Sequence, residues 1–332
     1  MAIHIRRREF IVTVGGAAAW PLAVGAQQAN RMPRIGVLLA SEEGDWGLQA
    51  RLAGLRQGLE RLGWSDGRNL RVDYRFGEGQ PDRFQSLAKE LIALRPDVIV
   101  AQSPPVVTAV QRETREIPVV FVDVSDPIGP GFIASLSRPG ANITGMLSFE
   151  AGIVGKWLAM LKEIAPNLSR VMLLGNSKTT AFDYFQRSAA AAAPSLGIEL
   201  VPRQVTTAAD VESATEAIAR TSNGGLMILP DSTILVHRER VIALAIQHRL
   251  PAVYPFSYLV RAGGLMSYSY DGVHQYRLAA SSIDRVLHGT KPGEIPAQAP
   301  TKFETVLNLK TAKAIGLTAP SALLVAADEV IE

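Results

Sequence analysis

Two patterns of apolar and polar residues alternate along this chain: short, continuous apolar runs, and segments whose apolar residues recur at helical spacing. The run RIGVLLA (34–40) is too short and too uniformly apolar for a surface helix, and it is typical of a strand buried on both faces. The segment that follows, 48–62, places leucines at helical spacing and is closed by Gly63. A strand followed by a helix is therefore the predicted unit of the fold.

This unit recurs along the chain. The pattern predicts strands over 34–40, 69–76, 96–103, 117–125, 170–176, 197–205, 224–230, 250–255 and 263–269. It predicts helices over 48–62, 81–94, 105–115, 151–165, 181–192, 208–221, 234–248 and 272–288. Strands that alternate with helices of this length indicate right-handed βαβ units and parallel sheets.

A stretch rich in glycine and proline, 126–150, interrupts the alternation. Ten or so strands could form one wide sheet, but this interruption favours two. The predicted fold class is therefore α/β, with two Rossmann-like lobes built on parallel sheets. The tail, 302–332, contains a strand-like run and an apolar helix, and the pattern does not assign it to either lobe.

Residues 1–26 have the layout of a secretory signal. Three arginines at 6–8 precede an apolar stretch at 11–24, which is shorter than the roughly 20 residues of a spanning helix and ends in small residues near Ala26. The alternative, a buried or amphipathic N-terminal helix, is weakened by two glycines and a proline. The pair Arg7-Arg8 also resembles a twin-arginine export signal. We expect a protein of the periplasm.

Composition narrows the possible partners. The chain has 332 residues and no cysteine, so it offers neither a lipid-anchor cysteine nor a disulfide framework. The charges of residues 1–26 supply +2 of the net charge of +3, which leaves +1. A nearly neutral chain of dispersed charges has no electrostatic footprint for nucleic acid, and no second apolar stretch is long enough to span a membrane.

Signatures of catalysis are scarce. There is no G-x-S-x-G elbow, no H-E-x-x-H zinc helix and no P-loop lysine motif. The histidines lie in the N-terminal segment or on predicted helices, and the turn after the first strand has too few glycines for a dinucleotide. We therefore expect no enzyme, no cofactor and no metal.

Ligands of open parallel sheets bind beyond the carboxyl ends of the strands. The ends predicted here carry hydroxyl, amide, carboxylate and aromatic side chains, with Lys178 as their only base. The candidate ligand-binding residues are Ser41, Gln102, Ser103, Ser125, Asp126, Asn176, Phe182, Tyr184, Asp231, Tyr254, Tyr268 and Asp271.

Each candidate also has a structural interpretation. Serines at these positions cap helices, Asp126-Pro127 is typical of a turn, and strand tyrosines are often half-buried. Asp231 follows an apolar run that Pro230 ends, so its carboxylate either holds a ligand ammonium or caps the next helix. Ser232 and Thr233 are rival caps.

Long stretches of the chain resemble the ABC-transporter substrate-binding protein family with the type I periplasmic-binding fold, in its tryptophan-transport-like branch. They include AGLRQGLERLGWSDGRNLRVDYRF (53–76), IPVVFVDVSDPIGPGFIASLSRPGANITG (117–145) and PTKFETVLNLKTAKAIGLTAP (300–320). Relatives often have Asn-Pro where this chain has Asn176-Ser177-Lys178, so Lys178 could add a cation to the site.

The resemblance implies two lobes joined by three crossings, with a ligand cleft between them. The expected divisions are a signal over 1–26, a first lobe over 31–147, a second lobe over 148–270, and a return to the first lobe over 271–301. The lobe of 302–332 stays open.

The resemblance also implies a function. The protein would be the monomeric solute-binding component of an ABC importer, would close on a small amphipathic solute (an amino acid or aromatic carboxylate), and would deliver it to an ABC permease in the inner membrane. Strand-end hydroxyls and helix N-termini suit the carboxylate, and aromatic side chains suit an apolar group. The alternatives are a periplasmic sensor domain that serves a receptor and, third, an enzyme on the same scaffold.

Overall fold

The structure is a computed structural model that describes residues 31–332. The signal predicted over 1–26 lies outside the described residues. The first sheet has the strand order β2-β1-β3-β4-β5, and all of its strand pairs are parallel. Its strands are β1 (Arg34–Leu39), β2 (Arg71–Phe76), β3 (Val98–Gln102), β4 (Val119–Val124) and β5 (Ile143–Leu147).

Four helices cover the two faces of this sheet. They are α1 (Trp46–Arg61), α2 (Pro81–Ala93), α3 (Pro104–Glu113) and, from much later in the chain, α10 (Gly272–Leu287). One apolar core lies between the sheet and α2 with α3, and another lies between the sheet and α1 with α10. We call the first sheet with these four helices the first lobe.

The second sheet has the order β12-β11-β10-β9-β8-β6-β7. Its strands are β6 (Arg170–Gly175), β7 (Glu199–Gln204), β8 (Gly224–Ile228), β9 (Ala252–Tyr254), β10 (Met266–Tyr270), β11 (Phe303–Asn308) and β12 (Glu329–Ile331). All neighbours are parallel except β10 and β11, which are antiparallel.

The remaining helices belong with the second sheet, and together they form the second lobe. They are α4 (Ile153–Ile164), α5 (Phe182–Ala192), α6 (Ala208–Ala219), α7 (Ser232–Val236), α8 (Arg238–Gln247), α9 (Ser257–Arg261), α11 (Leu309–Ala314) and α12 (Ser321–Ala326). One continuous apolar core fills this lobe. Among residues 31–332, no helix has both the length and the apolar character needed to cross a membrane.

The chain passes between the lobes three times, after β5, after β10 and before β11. The second passage leads into α10, which packs closely against α1. Two glycines of α1 allow this approach: a Cβ atom at Gly54 would lie 2.5 Å from the carbonyl oxygen of Val273, and one at Gly58 would lie 2.6 Å from that of Arg277. The first lobe is thus completed by residues from late in the sequence.

The predicted fold class is confirmed: two α/β lobes are built on sheets whose strand pairs are all parallel except β10 with β11. Two predictions of elements were wrong. The interrupting stretch 126–150 contains a strand, β5, which is fully buried although it lies at the edge of the first sheet, and which comes after the glycine-rich turns. The single helix predicted over 234–248 is two helices, α7 and α8, which meet at His237 without a glycine or proline to announce the break.

Candidate functional site

The carboxyl ends of strands from both lobes border a small central cavity of about 40 Å³, which we call the central crevice. The first lobe contributes the end of β4 and the segments that follow β1, β3 and β5, and the second contributes those that follow β6, β8 and β9. The polar or aromatic side chains that border it are Ser41, Arg51, Gln102, Ser103, Asp123, Ser148, Thr179, Ser232 and Phe256.

A buried ion pair forms the floor of the first-lobe side. The Arg51 guanidinium lies 3.3 Å from Oδ2 of Asp123, and both side chains are at most one-tenth exposed. The same Oδ2 accepts hydrogen bonds from Nε2 of Gln102 at 2.9 Å and from the hydroxyl of Tyr276 at 2.7 Å, while Oδ1 accepts one from Tyr270. Asp123 therefore has its acceptors occupied and acts as the hub that positions Arg51 and Gln102.

Burial and charge both act on the pKa values of this network, and the net shift of each group is upward. Burial works to lower the pKa of Arg51, but Asp123 and the neighbouring tyrosines raise it well above its usual value. Burial, followed by the charge of Asp123, raises the pKa values of Tyr270 and Tyr276. At neutral pH the site therefore holds a permanent guanidinium and neutral phenols.

Asp123 occupies a strained backbone conformation. Its φ is 56°, in the left-handed region that non-glycine residues seldom adopt. The pairing of β4 with β5 also shifts register between Phe121 and Val124. This irregularity lies at the carboxyl end of β4, beside the central crevice, where backbone strain is commonly associated with function.

Arg51 is the main residue that the strand-end rule missed, because it lies on a helix. A signal was available: Arg51 shares the apolar face of α1 with Leu48, Leu52 and Leu55, and a charged residue on a core-facing stripe needs a buried partner. Ser148, Tyr258 and Tyr276 were also missed, and the pattern carried no comparable signal for them.

Two larger cavities open beside the central crevice. A cavity of about 250 Å³, the hinge-side cavity, lies where α1, α9 and the β10–α10 passage meet, and its walls include Trp46, Tyr258 and Ser269. A cavity of about 380 Å³, the outer cavity, lies between the first part of α3, the turns that follow β4 and the β6–α5 connection, and Lys178 borders it. Arg51 and Phe256 border both the central crevice and the hinge-side cavity.

Several buried polar atoms of these walls have no hydrogen-bond partner among the described residues. They are Nε of Arg51, the hydroxyl oxygens of Ser103, Ser232 and Ser269, and the phenol oxygen of Tyr258. An unsatisfied buried group costs about 1–3 kcal/mol. These atoms are therefore available to form hydrogen bonds with a bound species.

The structure brings several of the candidate residues to these cavities. Ser41, Gln102 and Ser103 border the central crevice. The outer cavity is bordered by Asp126, Phe182 and Tyr184, and the hinge-side cavity by Asp271. Ser125 is buried next to the crevice, where its hydroxyl pairs with that of Ser148 at 2.8 Å.

Two candidates lie elsewhere in the structure. Tyr254 is 2% exposed and belongs to the core of the second lobe. The Tyr268 ring stacks on Phe303 with centroids 5.3 Å apart, and neither tyrosine borders the three cavities described above. The ligand-binding role of each stays a prediction.

Asp231 and Asn176 are bonded to each other. One oxygen of the fully buried Asp231 carboxylate accepts from the backbone N–H of Asn176 and the hydroxyl of Thr179, both at 2.7 Å. The other oxygen caps α7 by accepting from the N–H of Ile234 at 3.0 Å. Burial raises the pKa of Asp231 to about 6, against these hydrogen bonds. The structure thus gives Asp231 the capping role, and its binding of an ammonium stays a prediction.

A second ion pair joins the lobes at the rim. The Arg238 guanidinium of α8 lies 3.3 Å from Oδ2 of Asp45, whose other oxygen caps α1 through the N–H of Leu48. The Asp45 side chain is 6% exposed and that of Arg238 is 16% exposed. Beside it, Val236 packs so closely on Gly79 that a Cβ atom there would lie 2.7 Å from the valine. We call these contacts the rim clamp.

The architecture is that of a two-lobed α/β protein whose strand ends meet at one crevice. A family model described as ABC transporter substrate binding protein matches residues 36–331, and the chain belongs to this family. The family and the fold expected from the resemblance are thereby confirmed.

Known relatives agree with this assignment. The chain is 24% identical over 270 residues to a tyrosine-binding protein of Clostridioides difficile (strain R20291), which covers 81% of this chain and 77% of the relative. Among solved structures, a conserved domain protein from Vibrio cholerae is similar with a TM-score of 0.85, 29% identity, and coverage of 90% of this chain and all of the other. An ABC domain in complex with L-Trp from Streptococcus pneumonia is similar with a TM-score of 0.84, 24% identity, and coverage of 91% and 100%.

Proposed function

We propose that this protein is the solute-binding component of an ABC importer, and that its ligand is an aromatic amino acid. The observation that carries the proposal is the convergence of strand ends from both lobes on a crevice where the buried hydroxyls of Ser103 and Ser232 and Nε of Arg51 have no hydrogen-bond partner among the described residues. The relatives support the choice of ligand, since one is named for tyrosine binding and another was solved with L-Trp.

The polar head of the ligand occupies the central crevice in this proposal. Helix N-termini usually bind carboxylates through free N–H groups, but α3 begins with Pro104 and Pro105, which have none. The unpartnered hydroxyl of Ser103 takes over that task, together with Ser232 from the opposite lobe. Gln102 and Arg51, fixed by Asp123, complete a polar surface that does not need to reorganise when the ligand binds.

Entry of the ligand requires the lobes to part. A cavity of about 40 Å³ has room for only a few water molecules, since about 10–15 Å³ of such space holds one, so an amino acid does not fit the crevice as it stands. The three passages between the lobes are the natural hinges, because few residues there have to change their backbone angles. The closed form then presents a single surface to a permease.

The proposed compartment is the periplasm, reached by way of the twin-arginine-like start of the chain. This proposal rests on the arginine pair and apolar stretch of residues 1–26. Replacing Arg7 and Arg8 with lysine should leave the precursor in the cytoplasm. Normal export of that variant would argue for the general secretory route.

A ligand screen tests the proposed function. The chain from residue 27 onward is heated with tyrosine, tryptophan, phenylalanine, leucine or aromatic carboxylates, because a ligand that binds only the folded state raises Tm. A ligand at 100 times its Kd stabilises by about 2.7 kcal/mol. We expect aromatic amino acids to give the largest shifts and to reduce the radius of gyration in small-angle scattering. No shift with any of these compounds would contradict the proposed ligand class.

Variants of the two unpartnered serines locate the site. Ser103→Ala and Ser232→Ala should each weaken binding about tenfold, the effect of losing one hydrogen bond to a charged group, with unliganded Tm unchanged or raised. Ser86→Ala is the control, since Ser86 is an exposed serine of α2 that bonds only to the carbonyl of Arg83. Equal affinities for all three variants would move the ligand away from the central crevice.

A further inference from the structure

The hinge-side cavity is chemically different from the central crevice. Its walls are largely aromatic: Trp46 and Tyr258 meet edge to face with centroids 5.3 Å apart, and Phe256 stacks on Tyr258 at 5.5 Å and 10°. Trp46 comes from the first lobe and the other two from the second. A ring placed against Trp46 would therefore contact both lobes.

The same cavity has polar groups in its wall. Tyr258 is 7% exposed and Ser269 is 1% exposed, and the hydroxyl oxygen of each is buried without a hydrogen-bond partner among the described residues. Burial raises the pKa of Tyr258, so its phenol stays neutral and can donate as well as accept. These hydroxyls suit a ligand ring that carries its own hydrogen-bonding substituent.

The cavity volumes indicate how one ligand would use both sites. The central crevice holds about 40 Å³, and the hinge-side cavity holds about 250 Å³. Arg51 and Phe256 border both, so only side chains separate them. The guanidinium carbon of Arg51 lies 5.4 Å from the centre of the Phe256 ring, and a lobe movement that parts these two side chains would join the cavities.

We propose that the hinge-side cavity receives the aromatic ring of the ligand while its amino-acid head lies in the central crevice. Tyr258 and Ser269 then select rings with a polar substituent, a phenol hydroxyl or an indole N–H, over an unsubstituted phenyl ring. This inference rests on the proposed function and deepens it. Trp46, which is 46% exposed, becomes the face on which the ring stacks as the lobes close.

The physical basis of the selection is an asymmetry in hydrogen bonding. A site with buried polar groups discriminates strongly against a ligand that lacks the matching group, because its own groups are then left unpaired. Phenylalanine would leave the buried hydroxyls of Tyr258 and Ser269 without a partner, as they are in this structure. Tyrosine and tryptophan would supply one.

The subsite is tested by comparing the affinities of three aromatic amino acids for the wild type and for variants of the cavity wall. Kd is measured for tyrosine, tryptophan and phenylalanine with the wild type, Ser269→Ala and Trp46→Ala. Ser269→Ala should reduce the preference for tyrosine over phenylalanine by about fivefold to tenfold and leave the affinity for phenylalanine almost unchanged. Trp46→Ala should raise Kd for tyrosine and for tryptophan about tenfold or more. The control is Tyr184→Ala, which removes a part-buried aromatic ring from the outer cavity instead.

The outcomes separate this inference from the proposed function. Equal loss of tyrosine and phenylalanine affinity in Ser269→Ala, or a larger effect of Tyr184→Ala than of Trp46→Ala, overturns the subsite while aromatic binding stands.

If no amino acid binds the wild type, the proposed function fails, and ring fragments test the cavity alone. p-Cresol should then shift the NMR resonance of the Trp46 indole N–H more than toluene does. An unmoved resonance with both fragments overturns the subsite as well.

Discussion

Asp231 lies where the strand-end rule places ligand-binding residues, yet its hydrogen bonds in this structure stabilise the fold of its own lobe. It lies beyond the carboxyl end of β8, as the rule requires, but three donors from its own lobe surround it and no exposed surface remains. It fastens the turn after β6 to the start of α7, and both segments border the central crevice through Thr179 and Ser232. In this structure Asp231 positions these neighbours.

The pKa of Asp231 leads to a test of this structural role. Because the folded-state pKa is raised to about 6 from 3.8, the folded chain binds this proton more tightly than the unfolded chain, and stability falls as pH rises from about 4 to about 6. A shift of this size corresponds to about 3 kcal/mol. The Asp231→Asn side chain does not titrate in this range. Its amide has one acceptor oxygen in place of two, and its NH₂ group can face the N–H of Asn176. We expect the variant to be the less stable protein at pH 4, and the advantage of the wild type to shrink by up to about 3 kcal/mol by pH 7.

Urea unfolding at several pH values measures this difference. The control is Asp210→Asn, because hydrogen bonds from the Thr206 hydroxyl, its N–H and Thr207 lower the pKa of Asp210 to about 2, so its titration lies below this pH window. The stability difference for that control should stay constant from about pH 5 to 7 and change only slightly toward pH 4, where the carboxyl of the unfolded chain begins to bind a proton. A constant difference for Asp231→Asn too would show that Asp231 keeps an ordinary pKa.

At the residue scale, the sequence could predict the side chains that are fixed by strand ends. Ser41, Gln102 and Ser103 were found because an apolar run that stops abruptly marks where its chain reaches the edge of a sheet. Trp46 and Tyr258 could not be found in that way, since each lies on a helix and their contact joins elements more than 200 positions apart. Such pairs depend on how the lobes meet, which a local pattern does not encode.

At the scale of elements, the pairing of α1 with α10 depends on backbone contact. The glycines at 54 and 58 are one helical turn apart on the buried face of α1, and the late helix lies directly on them. The periodicity of α1 and α10 predicted both helices. Their pairing was not encoded in either pattern, because small residues in a helix lower its propensity without naming a partner.

Gly58→Ala tests this packing. Alanine gains about 1 kcal/mol of helix propensity, but its methyl group would lie 2.6 Å from the carbonyl oxygen of Arg277 and 2.7 Å from Cβ of Ala280. Backbone cannot yield as a side chain can, and overpacking costs about 1–3 kcal/mol. We expect a net loss of about 1–2 kcal/mol in the free energy of unfolding.

Gly155→Ala in α4 is the matched control. Its new methyl group would meet only Cβ of Ala192, at an ordinary 3.7 Å, so it should stabilise the protein by up to about 1 kcal/mol. Stabilisation by both substitutions would mean that α10 does not pack on α1 as closely as the structure has it.

At the scale of the whole molecule, the rim clamp links closure to charge. Arg238 and Asp45 come from opposite lobes, and their shielding from solvent makes the pair less sensitive to salt than a surface pair. Arg238→Gln should enlarge the radius of gyration of the unliganded protein and raise Kd about threefold to tenfold by making open forms more common. Small-angle scattering and calorimetry measure the two effects.

Arg240→Gln provides the comparison for the rim clamp. Arg240 lies on the same helix, but its partner is Glu212, within the second lobe. The control should leave both the radius of gyration and Kd as they are. If Arg238→Gln behaves like it, the lobes are held together by other contacts.

The late arrival of α10 has a consequence for how the protein is made. A ribosome that has delivered β1 to β5 has not yet delivered Tyr276, Ala280 or Ile283, which fill the core under α1. The first half of the chain must wait, with leucines of α1 uncovered, until the second half has been synthesised. A chain pushed through a membrane in an unfolded state would repeat this delay on the far side. Translocation after folding, the route that we propose from the arginine pair at the start of the sequence, would spare the protein that second exposure.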